Sequence, residues 1–278
     1  MPPMTSPAAL LGAPYDAASS FRRGSARAPR TIRDALASPA GNSWSEALID
    51  IADPRILIDA GDIALDESNA RDDIESGVRR VLDSGARPIV LGGDHSITYP
   101  IVRAISRTVP RLTILHIDAH GDLYDEYDGN RYSHACPFAR IMEESLAARL
   151  IQVGIRTMTG HQREQADRFG VEVIDMRAWV RGTRPTIGDG EWVYLSLDLD
   201  GIDPAFAPGV SHPEPGGLAV REVLSLVHDL PARLVAADVV ECNPDVDPTG
   251  ITSRVAAKLV KEIAAAMQPV RLDRDLRS

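Results

Sequence analysis

The chain has 278 residues, 44% hydrophobic and 25% charged, with a formal net charge of −10 and two cysteines. This composition suits a packed globular core, and the surplus of carboxylates argues against a nucleic-acid backbone or an anionic membrane surface as partner, since neither would be neutralised. A small cation would be attracted. No apolar run approaches the ~20 residues of a spanning helix, the opening stretch lacks the basic flank of a secretory signal, and Cys136 and Cys242 are too few for a disulfide framework. Together these features predict a cytoplasmic protein.

Along the chain, short apolar and β-branched runs alternate with stretches of helical spacing. "AALLGAP" at 8–14 is a weak strand candidate, and "RILIDAGD" at 55–62 precedes a helix over 71–84. "RPIVLGGDHS" at 87–96 leads into a helix over 97–108, and "LTILHIDAH" at 112–120 leads through a loop to a helix over 135–148. "LIQVGIR", "VEVI", "EWVYLSLDLD" and "ARLVAADVVE" read as further strands, with helices over 162–169, 220–229 and 252–267. Residues 38–45 and 181–190 hold turn residues and read as surface connections. Near-continuously apolar strands separated by helices predict a parallel sheet of about eight strands covered on both faces. The expected fold class is α/β, a single three-layer α/β/α domain over residues 1–278.

Ligands of such sheets bind at the carboxyl ends of the strands, and ionisable residues gather there. Asp94 and His95 end one strand; Asp118, His120 and Asp122 follow another; Asp198, Asp200 and Asp203 follow a third. Residues two apart in an extended chain share a face, so these groups can converge. Unpaired carboxylates buried together would cost several kcal/mol each, and cations remove that conflict. Two imidazoles and four carboxylates exceed the needs of one ion, and bridging carboxylates could hold two ions roughly 3.5–4 Å apart. Oxygen-rich ligation with some imidazole and no thiolate favours Mn2+. Any one fragment alone would be a turn, a cap or a satisfied core histidine; three at strand ends are not explained that way.

"GGDHS", "DAHGD" and "SLDLDGIDPAFAPGVSHPEPGG" resemble the three signature motifs of the ureohydrolase family, the arginases, agmatinases and their relatives. In detail the chain is most similar to plant-type arginases and their bacterial relatives. The resemblance implies two Mn2+ held by His95, Asp118, His120, Asp122, Asp198 and Asp200, with His134 and Asp122 as catalytic residues and Glu241 gripping the substrate guanidinium. It also implies hydrolysis of a small cationic guanidino compound to urea and an amine, most simply L-arginine to L-ornithine, with agmatine as the alternative, and a homo-oligomer, trimer or hexamer. The loop "LYDEYDGNRYS" is the natural rim, and Asn130, Arg131 and Ser133 are its candidate donors for a substrate carboxylate. The chain departs from the family pattern at Gly121, where Pro or Thr is common.

Two other readings compete. Cys136 or Cys242 could serve a thiol-dependent guanidine-modifying enzyme beside His134, although small buried hydrophobe is the commoner role of a free cysteine. A non-catalytic binding protein could keep the fold, but would be expected to have lost a ligand.

Overall fold

Each apolar run becomes a strand in the computed structural model, which describes residues 3–230 and 233–268. The strands are β1 (Ala8–Gly12), β2 (Leu57–Asp62), β3 (Arg87–Leu91), β4 (Thr113–Ile117), β5 (Arg149–Ile155), β6 (Glu172–Asp175), β7 (Trp192–Asp198) and β8 (Arg233–Val240). They form one eight-stranded sheet in the order β2-β1-β3-β8-β7-β4-β5-β6, and every pairing is parallel.

The helices are α1 (Ala28–Leu36), α2 (Ala70–Asp83), α3 (Thr98–Ser106), α4 (Pro137–Glu143), α5 (Gly160–Phe169), α6 (Met176–Val180), α7 (Val220–His228) and α8 (Ile251–Ala266). Helices α1, α6, α7 and α8 cover one face over an aliphatic core that includes Ile32, Trp179, Val223 and Leu259. Helices α2 to α5 cover the other over Ile74, Ile101, Phe138 and Ala166. The sheet is therefore the middle of three layers. Strand β2, at the edge, is largely exposed, and Arg33 of α1 clamps its Asp59 at 2.9 Å and Asp62 at 2.5 Å. Charges on an edge strand discourage pairing with another chain.

Differences from the sequence reading have local causes. The helix expected over 135–148 is shortened to α4: Pro137 suits its first turn, and Ser145, in left-handed backbone at φ 54°, stops it. Helix α6 has five residues, too few to show periodicity, and is set by its Asp175 cap, whose Oδ1 accepts from Ala178 N at 2.7 Å. Among the described residues, no helix is long and apolar enough to cross a membrane.

Strands β3, β8, β7 and β4 occupy the middle of the sheet; the six candidate metal ligands and Glu241 follow their carboxyl ends, and His134 lies in the loop before α4. Strand β8, late in sequence, lies between β3 and β7. Its register sets Asp238 beside Ser196 and Val240 beside Asp198.

Candidate metal centre

Strand β3 ends in a turn capped by Asp94, which accepts from Ser96 N at 3.0 Å and starts a short 3-10 helix at His95. This turn points the His95 imidazole across the ends of β4 and β7. Strand β4 stops at Ile117, so Asp118, His120 and Asp122 are placed by an irregular turn and not by strand alternation; Asp122 has φ 47°. Asp198 is the last residue of β7, and its Oδ1 accepts from Asp200 N at 2.8 Å, folding the chain into a second 3-10 turn. A Cβ on Gly201 would lie 2.8 Å from Asp118 N. Glycine there lets the turn carrying Asp198 and Asp200 close onto Asp118.

The six side chains meet in two clusters. His95 Nδ1 lies 3.2 Å from Asp118 Oδ2, 3.1 Å from Asp122 Oδ2 and 3.1 Å from Asp198 Oδ2. His120 Nδ1 lies 3.0 Å from Asp200 Oδ2 and 3.4 Å from Asp118 Oδ1. Asp118 therefore presents one oxygen to each cluster. Burial pushes the Asp198 carboxyl well up, with Asp200 and Asp118 adding to the rise. Burial likewise lifts Asp200 to about 6, against the pull of His120. Burial opposes a charge on His95, yet the three carboxylates hold its pKa well above the usual imidazole range.

Hydrogen bonding decides whether a cation fits. His95 Nε2 lies 3.0 Å from Ser196 Oγ, and that hydroxyl donates to Asp238 Oδ1 at 2.8 Å. Ser196 must then accept from Nε2–H, so Nδ1 is the nitrogen turned to the carboxylates. It is buried with no hydrogen-bond partner and faces three carboxylate oxygens. Only a proton or a cation on Nδ1 reconciles it with those acceptors, and a divalent cation can take the proton's place; an imidazole oriented through its other nitrogen is the usual arrangement at a metal.

Supporting residues absent from the sequence reading are Asp238, His116 and Ser20. Asp238 is fully buried and accepts from Thr98 Oγ1 at 2.7 Å, Ser196 Oγ, Leu197 N at 3.3 Å and Tyr194 OH. His116 Nε2 donates to Asp118 Oδ2 at 2.7 Å, while its Nδ1 accepts from Gln152 at 3.1 Å. Asp238 and His116 each carried a signal, an ionisable group inside an apolar strand, and Ser20 carried none.

Beside the clusters is a cavity of about 170 Å3, lined among others by Asp122, His134, Glu241, His212 and Tyr124. Two larger hollows, of about 600 and 480 Å3, lie away from the carboxylates and hold none of this chemistry. Glu241 is buried with φ 62°. Its Oε1 accepts from His95 N at 2.9 Å and lies 3.2 Å from His134 Nδ1, while Oε2 is buried without a partner. Left-handed backbone at two non-glycine cavity residues, Asp122 and Glu241, costs of order 1–3 kcal/mol each and is typical of functional sites. His134 Nε2 lies 2.8 Å from Ser20 Oγ. Burial works against a proton on His134, but Glu241 outweighs it and raises the pKa to about 9.

The remaining sequence candidates lie elsewhere. Asn130 is exposed, closes a small turn with Tyr127, and accepts from Tyr132 N at 2.8 Å. Ser133 is buried and its Oγ accepts from Ala135 N at 3.4 Å. Neither lines the cavity, and Arg131 is engaged by Asp125 at 2.8 Å and Glu143 at 3.0 Å. Tyr124, Tyr127, Thr157, Thr159 and Gln162 form that wall instead, and Gln162 Oε1 is buried without a partner. At Gly121 a Cβ would meet Met158 Cε at 2.8 Å, so the glycine makes room for Met158. Cys136 and Cys242 are buried, and burial pushes both thiols up to about 12, which leaves neither as a thiolate near neutral pH.

The chain as a whole is similar to known proteins. The chain is 49% identical over 273 residues to arginase 1, mitochondrial, of Arabidopsis thaliana, covering 92% of this chain and 80% of that protein. It is 48% identical to arginase 1, mitochondrial, of Oryza sativa subsp. indica, covering 93% and 81%. The solved arginase from Medicago truncatula superposes with a TM-score of 0.89 at 44% identity, covering 95% of this chain and 88% of that one. The relatives' mitochondrial names overturn the cytoplasmic expectation, because free thiols and the lack of a membrane-spanning stretch fit any reducing compartment and select none. With the arginase family model matching residues 6–266, the chain belongs to the arginase family.

Proposed function

We propose that this chain hydrolyses L-arginine to L-ornithine and urea at a centre of two Mn2+ ions held by His95, Asp118, His120, Asp122, Asp198 and Asp200. Members of its family are metal-dependent ureohydrolases. When bound, two divalent cations acidify water and stabilise negative charge beside a guanidinium carbon. The observation that carries the reading is Glu241 Oε2, a buried carboxylate oxygen with no partner at a cavity beside the carboxylate cluster.

A planar guanidinium satisfies such an oxygen through charge-assisted N–H bonds. Glu241 therefore binds and orients the substrate, and it also fixes His134 through Oε1. His134, held at one nitrogen by Glu241 and near Ser20 at the other, is placed to give a proton to the leaving amine. Asp122, on the cavity wall, accepts a hydrogen bond from the attacking water. The amino-acid head group lies toward Thr159 and Gln162, whose unpartnered Oε1 can accept from an α-ammonium. The chain assembles as a trimer or hexamer, a reading that rests on family resemblance and is checked by light scattering.

The deciding experiment compares urea release by the Mn-loaded chain from L-arginine and from agmatine. A higher kcat/KM for L-arginine is expected. A preference for agmatine above about tenfold, worth about 1.4 kcal/mol at the transition state, would overturn the substrate while leaving the metal chemistry standing.

A further inference from the structure

Beyond the two carboxylate clusters, a third group of metal-ligating side chains converges in the cavity. His134, His212 and Glu241 each offer one ligand atom, and these atoms lie within 4.8 Å of one another. His212 sits on the loop between β7 and α7. Its ring lies against that of His134, with centroids 4.9 Å apart and planes at 31°. Ser20 Oγ stands between the two imidazoles, 2.8 Å from His134 Nε2 and 3.5 Å from His212 Nε2. Glu241 Oε2, buried and without a partner, is an acceptor that a cation here could satisfy.

The donor set differs in kind from the neighbouring clusters, where each imidazole is outnumbered by carboxylates. Two imidazoles, one carboxylate and an open fourth position form a ligand set that zinc takes in proteins. Imidazole also binds Zn2+ more strongly than Mn2+, whereas carboxylate sites suit Mn2+. Tetrahedral bonds of about 2.0–2.1 Å set ligand atoms about 3.4 Å apart, so the triad must contract by little more than an ångström. Half-buried His212 can supply that movement, since its one hydrogen-bond contact among the described residues is the long one to Ser20. Charge also permits it: the four carboxylates of Asp118, Asp122, Asp198 and Asp200 balance the four positive charges of two divalent ions, and Glu241 is balanced by the His134 proton alone, which an entering divalent ion would displace.

We propose that His134, His212 and Glu241 form a separate site for a borderline-soft divalent cation such as Zn2+, and that filling this site inhibits the enzyme. The inhibitory half rests on the proposed function, because the ion would occupy both the proton donor and the guanidinium acceptor. The binding half does not.

The test adds ZnCl2 stepwise to the Mn-loaded chain, counts both metals by mass spectrometry after desalting, and measures urea output in parallel. One Zn2+ per chain is expected in addition to the retained manganese, with urea output falling as it binds and L-arginine raising the zinc required. In His212→Asn, with its fold verified by manganese retention and melting temperature, the extra zinc should be lost and inhibition should need at least tenfold more zinc. The site is overturned if zinc enters only as manganese leaves, or if His212→Asn takes up the same extra zinc. A chain that binds the extra zinc but makes no urea from L-arginine supports the site and counts against the proposed substrate alone.

Discussion

Ser196→Ala tests whether the hydroxyl beneath His95 governs the metal centre. The substitution removes the acceptor of His95 Nε2–H at 3.0 Å and one donor to Asp238 at 2.8 Å. Asp238 keeps Thr98 Oγ1, Leu197 N and Tyr194 OH, so the loss concentrates on His95, whose side chain is fully buried. A buried donor without a partner costs about 1–3 kcal/mol. The imidazole can escape by moving its proton to Nδ1, but that proton then occupies the position facing Asp118, Asp122 and Asp198, where a cation should sit. Either route weakens the metal and not the fold alone, and loss of such an outer partner typically lowers metal affinity 10–100-fold, or about 1.4–2.8 kcal/mol. The assay is equilibrium dialysis against buffered Mn2+ with metal counting, alongside urea unfolding of the chelated protein. A variant that folds and binds Mn2+ as tightly as the parent would refute the role given to Ser196.

Replacing His134 with Asn should reduce turnover by about 10²–10⁴-fold at unchanged metal content; a variant that loses its metal would contradict the assignment. In the chelated chain, the His134 pKa of about 9 exceeds the unfolded value of about 6.5, so the parent's stability advantage over this variant should be complete below pH 6.5 and fade toward pH 9. Urea melts across that range check the sign, and an advantage that grows with pH would be the wrong one. Glu241→Gln removes charge-assisted bonds worth about 1.5–3 kcal/mol, and calorimetry with L-arginine should show affinity weakened by roughly 10–150-fold. Cys136→Ala and Cys242→Ala should keep turnover within a few-fold, because neither thiol ionises near neutral pH; abolished turnover in a folded variant would restore the thiol mechanism.

The sheet was legible because fully buried parallel strands need apolar residues on both faces, and β3, β4, β7 and β8 comply. The ligand groups were legible because carboxylates seldom follow such strands without a reason. The geometry joining them was less so: alternation in an extended chain suggested convergence, yet β4 ends at Ile117 and a left-handed residue at Asp122 does the turning. Asp238 and His116 were visible as lone ionisable groups in apolar strands, but only the sheet register reveals which partners satisfy them. Ser20 and His212 reach the cavity from loops far apart in sequence, with no periodicity to betray them. The position of Asn130 and Ser133 off the cavity wall depends on the turn at Tyr127–Asn130, which local sequence leaves open.

The strand order has a consequence for biosynthesis. Before β8 is made, the emerging chain can assemble β2-β1-β3 as one block and β7-β4-β5-β6 as another, each ending in an apolar edge that has no partner. His95 belongs to the first block and the other five ligands to the second, and the contact between His95 N and Glu241 spans 146 positions in sequence. Metal capture in the finished geometry and closure of the sheet are therefore a single late event. A released chain that ended before residue 233 would present two sticky edges to other chains.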